Sequence, residues 1–112
     1  MAALAAADKN ALDIEVLDVG DLLIITDFFV ITSGASDRQV AAIFESIEER
    51  LREKGVRPLG VEGEKEAKWV VLDYGSVVVH IFQTEQREYY QLERLWRDAP
   101  RIDWQDRGAA RA

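Results

Sequence analysis

The chain has 112 residues, 48 % hydrophobic and 31 % charged, which suits one folded domain with a modest core and excludes a disordered polymer. Its net charge of -7 argues against direct DNA binding, because phosphate recognition needs a basic stripe, and is equally compatible with a basic protein partner and with an acidic surface that only keeps the chain soluble. The absence of cysteine excludes a disulfide framework and a thiolate metal site, and fits a reducing cytoplasm. No apolar run approaches the roughly 18 residues of a membrane span, and the Ala-rich start carries no basic segment of a secretory signal, so no membrane association is expected.

In chain order, Ala2 to Leu12 reads as a short helix with few apolar anchors, Leu4 and Leu12. Ile14 to Val19 alternates as a strand: Ile14, Val16 and Asp18 face one way, and Glu15, Leu17 and Val19 the other. Gly20-Asp21 breaks it, and Leu22 to Ile25 fits a helical turn or a strand equally well. Phe28 to Ser33 is a β-rich run ended by Gly34. Ser36-Asp37-Arg38-Gln39 is a capping box that opens a helix. Val40, Ile43, Phe44, Ile47 and Leu51 give that helix one apolar stripe, and Gly55 sits where a left-handed cap residue belongs. Val56 to Val61 is expected as a short strand, with Pro58 limiting it to a sheet edge or to its first residues. The strand at Phe28, the capped helix and the strand at Val56 are expected to form a βαβ crossover.

Trp69 to Phe82 reads as a hairpin closed by Gly75-Ser76, a type II′ turn with glycine at the position of positive φ. That register opposes Asp73 to Val78, Val71 to His80, and Trp69 to Phe82. One face then carries Val70, Leu72, Tyr74, Val77, Val79 and Ile81, an apolar set for the core. The other carries Trp69, Val71, Asp73, Val78, His80 and Phe82, too polar for simple burial and too aromatic for simple solubility. After it, Thr84 is expected to cap a last helix with Tyr89, Leu92, Trp96 and Ala99 buried and Arg87, Tyr90, Arg94 and Arg97 on a solvated face, with Glu93 pairing Arg97. Pro100 stops that helix, and residues 105–112 are expected to fray. The whole is a single α/β domain over 1–112, its core about 12–99, with a mixed β-sheet of about five strands packed by amphipathic helices.

Two constellations invite a chemical reading. His80 and Asp73 are diagonal neighbours in the hairpin, roughly 5–8 Å apart between β-carbons, but Ser76 lies in the turn and no nucleophile stands beside them. Structural or interface duty for His80 outweighs catalysis. Ser33-Gly34-Ala35-Ser36 before a helix resembles a weak anion-binding corner, and also the Gly-Ser corner of nucleotidyltransferases. Such an enzyme needs convergent carboxylates for a divalent metal, for which Glu62 and Glu64, or Asp13 and Glu15, are the candidates. Ordinary strand ending and helix capping outweighs that alternative. Neither a metal nor a cofactor is expected. Trp69 and Phe82 are equally balanced between partner anchors and burial beneath a covering helix.

Several segments, in this order, resemble the ribosomal silencing factor family RsfS, also called Iojap. They are Thr26-Asp27-Phe28-Phe29-Val30-Ile31, Ser33-Gly34-Ala35-Ser36-Asp37-Arg38-Gln39-Val40, Gly60-Val61-Glu62-Gly63 and Trp69-Val70-Val71-Leu72-Asp73-Tyr74-Gly75. His80-Ile81-Phe82 and Arg87-Glu88-Tyr89-Tyr90-Gln91-Leu92-Glu93-Arg94-Leu95-Trp96 continue the resemblance, which spans about Leu12 to Ala99. It implies a nucleotidyltransferase-like α/β fold without established catalysis. It further implies binding to the large ribosomal subunit through ribosomal protein L-fourteen, a block on subunit joining under nutrient limitation, and a homodimer when free. The expected partner-binding residues are Trp69, Asp73, Tyr74, His80 and Phe82 of the hairpin, with Glu62 and Gly63 in the adjoining loop.

Overall fold

A computed structural model describes residues 2–23 and 25–104. The chain begins with α1 (Ala2–Ala7), β1 (Leu12–Asp18), β2 (Phe28–Gly34) and α2 (Asp37–Glu53). It continues through β3 (Gly60–Glu62), β4 (Trp69–Asp73) and β5 (Val77–Gln83) to α3 (Thr84–Tyr90), α4 (Leu92–Leu95) and β6 (Arg101–Ile102). Among the described residues one six-stranded sheet in the order β3-β4-β5-β2-β1-β6 holds the strands, one more than expected because β6 returns to pair with β1. Only β2 and β5 run parallel; every other pairing is antiparallel, so the sheet is mixed.

Each face of the sheet has its own core. On one face Val30, Val70, Leu72, Val79 and Ile81 meet Val40, Ile43 and Ile47 of α2. The buried alanines of α1 join this layer, their small side chains seating the helix against its neighbours. On the other face Leu17, Val19, Phe29, Ile31 and Phe82 are covered by Leu92, Trp96 and Ala99 of the C-terminal segment. The alternation read from β1 serves both layers, with Ile14 and Val16 packing on the first and Leu17 and Val19 on the second.

The punctuation of α2 works as the capping residues dictate. Ser36 Oγ accepts from Gln39 N at 3.2 Å, while Gln39 Oε1 reaches back to accept from Ala35 N at 2.8 Å, one residue earlier than the usual box. At the other end Gly55, with φ +78°, lets Val56 N donate to Leu51 O at 2.9 Å and Gly55 N to Arg52 O at 2.9 Å, a Schellman closure.

Several expectations are corrected. The expected crossover partner of β2 was the strand at Val56; the parallel partner is β5, and the edge strand near Val56 shrinks to Gly60–Glu62 and pairs antiparallel with β4. Pro58 has no N–H to donate, and the bonding to β4 begins just after it, with Leu59 N donating to Asp73 O at 2.6 Å. Leu22 and Leu23 lie in a turn whose amides reach Val19 O. The last helix is broken: Gln91 takes a left-handed φ of 48°, which separates α3 from α4. Thr84 begins α3 without capping it; Gln83 is the cap residue and provides no side-chain bond. The expected fraying tail, 105–112, lies outside the described residues.

Candidate functional site

The hairpin register is as the turn dictates: Trp69 opposes Phe82, Val71 opposes His80, and Asp73 opposes Val78. Gly75 takes the positive φ, +84°, that the turn was expected to need, and the loop is closed by Tyr74 N donating to Val77 O at 2.8 Å and Ser76 N to Tyr74 O at 3.2 Å. Because paired residues share a face, the ladders extend the mixed face across the sheet. Glu62 of β3 lies opposite Val71, and Gly60 opposite Asp73, so Glu62 joins that face as part of a strand rather than a loop.

The C-terminal segment covers only part of this face. Over β5, β2 and β1 it covers most of the face: Phe82 is 0 % and His80 8 % exposed, while Val78 is half-buried. Over β3 and β4 it stops short, leaving Glu62 and Asp73 exposed and Trp69 and Val71 half-buried. Trp69 stands at the seam. Its ring stacks on Phe82 at 4.8 Å and is met by Tyr90 of α3 at 4.8 Å.

Within the expected partner set, then, Glu62, Trp69 and Asp73 lie together on an open strip. Phe82 and His80 lie beneath it and support Trp69 rather than reach solvent. Tyr74 belongs to the opposite face, where it packs against the α2 layer; its hydroxyl is buried, and its pKa is raised by desolvation and by nearby Glu48. Gly63, with φ +81°, turns the chain beside β4; a β-carbon there would sit 2.0 Å from Trp69 O. Its task is to let the loop close against Trp69, with Ala67 N donating to Gly63 O at 3.0 Å.

His80 is locked for support. Trp69 Nε1 donates to its Nδ1 at 3.2 Å, which makes the neutral ring a donor only at Nε2. Nε2 is buried without a hydrogen-bond partner, Phe29 meets the ring edge-on at 5.0 Å, and desolvation pushes the pKa down to about 4. Asp73 does not orient it; Asp73 Oδ1 accepts from Gly75 N at 2.8 Å and holds the turn. A proton-transfer pair is not assembled.

The Ser33-Gly34 corner is likewise filled from within. Ser33 Oγ donates to Leu12 O at 3.4 Å and accepts from Arg87 at 3.3 Å, and Thr84 Oγ1 donates to Gly34 O at 3.4 Å. A β-carbon at Gly34 would press on Val40 N at 3.2 Å, so the glycine serves close packing against α2. Glu62 and Glu64 are exposed, and among the described residues no third carboxylate or imidazole joins them in a metal-binding group.

Sequence reasoning missed Arg87, expected on a solvated face and here buried. Its guanidinium contacts Glu93 at 3.4 Å, Glu15 at 3.6 Å and Leu12 O at 3.2 Å, joining α3 to the start of β1 and the end of β2. Glu93 therefore pairs with Arg87, not with Arg97 as expected. The missed signal was the spacing Arg87 to Glu93 across the helix break, which an uninterrupted helix would have separated. Tyr89, expected in the core, is 80 % exposed, and the break at Gln91 parts it from Leu92 and Trp96, with which it was expected to share a stripe.

The arrangement defines a mixed α/β domain with a partly open aromatic and acidic strip along one side of its sheet. The chain belongs to the ribosomal silencing factor family: residues 1–112 match the family described as ribosomal silencing factor during starvation, RsfS. It is similar to the ribosomal silencing factor RsfS of Bacillus subtilis, with 46 % identity covering 92 % of this chain and 87 % of that protein. Protein Iojap of the Zea mays chloroplast is 38 % identical over 88 % of this chain and 43 % of its own length. A crystal structure of a Chromobacterium violaceum protein superposes with a TM-score of 0.84 at 38 % identity, covering 86 % of this chain and 80 % of the other. The silencing-factor names describe regulation rather than a catalysed reaction.

Proposed function

We propose that this chain silences translation by docking on the large ribosomal subunit, through ribosomal protein L-fourteen, and blocking small-subunit joining when nutrients are scarce. The observation that carries the reading is the partly open strip of Glu62, Trp69, Val71 and Asp73, on the sheet face that the C-terminal segment covers only in part, in a member of this family. A mouse relative, 36 % identical over 79 % of this chain, is named for mitochondrial assembly of the ribosomal large subunit, in keeping with this partner. Blocking an approach needs a rigid body rather than bond-making chemistry, and an acidic chain of net charge -7 is attracted to basic ribosomal proteins. The protein acts in the cytoplasm and forms a homodimer when free.

Co-sedimentation with isolated large subunits tests the partner, and a subunit-joining assay tests the block. The expected result is migration with the large subunit and loss of joined ribosomes. Protein that stays at the top of the gradient with subunits in excess overturns the partner; binding without loss of joining overturns the steric mechanism.

A further inference from the structure

We infer that Tyr89 and Tyr90 of α3 extend the strip into a ledge that receives lysine or arginine side chains of a basic protein partner. This deepens the docking reading above and rests on it for the identity of the surface. The ledge starts at the seam. Tyr90 meets Trp69 at 4.8 Å, Tyr89 meets Tyr90 edge-on at 5.0 Å, and the rings are 46 % and 80 % exposed respectively. A tyrosine held at the core of a domain this small would shed that exposure, yet both rings lie outward, and the left-handed Gln91 ends α3 directly after the pair.

Charge selects the occupant. Arg87, the one cation within α3, is turned inward and neutralised by Glu15 and Glu93. The exposed charges of α3 are therefore Glu85 and Glu88 alone, and the adjoining strip adds Glu62 and Asp73. Beyond the helix, Arg94 is tied to Gln91 Oε1 at 2.8 Å. Lys68 beside Trp69 and Arg94 past the helix are exposed cations, but α3 itself shows only carboxylates to solvent and the chain carries a net charge of -7, so the tyrosine π-faces suit guanidinium or ammonium groups better than phosphate, and a basic protein loop better than an RNA backbone.

The test is an NMR titration of the full chain with a short arginine- and lysine-bearing peptide, alongside a matched glutamate peptide and a single-stranded oligouridylate. The basic peptide should move the signals of Tyr89, Tyr90 and the Trp69 indole. Tyr89→Ala should weaken its binding about threefold to fivefold, and Glu85→Lys with Glu88→Lys should weaken it by about tenfold. Shifts confined elsewhere, equal binding by the variants, or preference for the oligonucleotide would overturn the inference. So would a change from dimer to monomer in Tyr89→Ala with peptide binding intact, since the ledge would then serve self-association. Co-sedimentation separates the two readings. If wild type binds large subunits and Tyr89→Ala binds equally well, the ledge fails while the docking reading stands. If wild type does not bind them, the docking reading fails and the peptide titration alone decides the ledge.

Discussion

Acid should weaken this fold through His80, by an amount its surroundings set. In the folded chain the ring titrates near 4, against about 6.5 when unfolded, because burial disfavours the imidazolium. Between those values the unfolded chain holds more protons, so stability is complete above pH 6.5 and falls as pH drops toward 4. The shift of about 2.5 pH units corresponds to about 3 kcal/mol once both states are protonated, and about 2 kcal/mol is already lost at pH 5. Protonation also turns Nδ1 from acceptor to donor, so the Trp69 indole loses its partner at the seam. Urea unfolding followed by far-UV circular dichroism, from pH 8 to pH 4, measures the effect against His80→Gln, which keeps a polar group but does not titrate. Carboxylates common to both proteins cancel in the difference. The wild-type curve should fall more steeply by about 3 kcal/mol over this range; parallel curves would refute the claim that His80 is buried neutral.

Gly63→Ala should destabilise by about 2–4 kcal/mol, since it combines a left-handed φ with a backbone clash at Trp69 O, whereas Gly60→Ala, with open space around it, should change stability by less than about 0.5 kcal/mol. Chemical denaturation of the two compares them directly. Arg87→Met should cost about 3 kcal/mol by stranding Glu93 and part of Glu15, and adding Glu93→Gln should recover much of it, a double-mutant cycle read by the same assay. Trp69→Ala should weaken large-subunit binding by tenfold or more while the chain stays folded, as judged by co-sedimentation and circular dichroism; unchanged binding would move the docking surface elsewhere.

The hairpin was legible because a local device sets it. A Gly-Ser loop fixes the register, and a register fixes every side chain's face. The stripe of α2 and its caps were legible for the same reason, since both repeat within a few residues. What escaped was non-local. The parallel pairing of β2 with β5 joins segments that only the finished sheet brings together, and nothing in the strand at Val56 announces that it is passed over. The cover on the mixed face depends on a left-handed Gln91, a residue type that does not advertise a break as glycine does. That one dihedral parts Tyr89 from the stripe it was expected to share, and decides that Arg87 meets Glu93 and that the open strip ends where it does. Of the expected partner set, the residues that share the open strip were readable from alternation, but the depth of Phe82 and His80 was not, because it depends on a helix packed from elsewhere.

The edge strand β3 is only three residues long, preceded by Pro58 and closed by Gly63. A sticky aromatic surface next to a sheet margin ordinarily invites neighbouring copies to add strands and polymerise. Here the margin is too short to template a partner strand, and Glu62 sets like charges against one another wherever two such margins meet. The short, charged margin thus leaves Trp69 and the tyrosines partly exposed beside it without turning the sheet into a seed for aggregates.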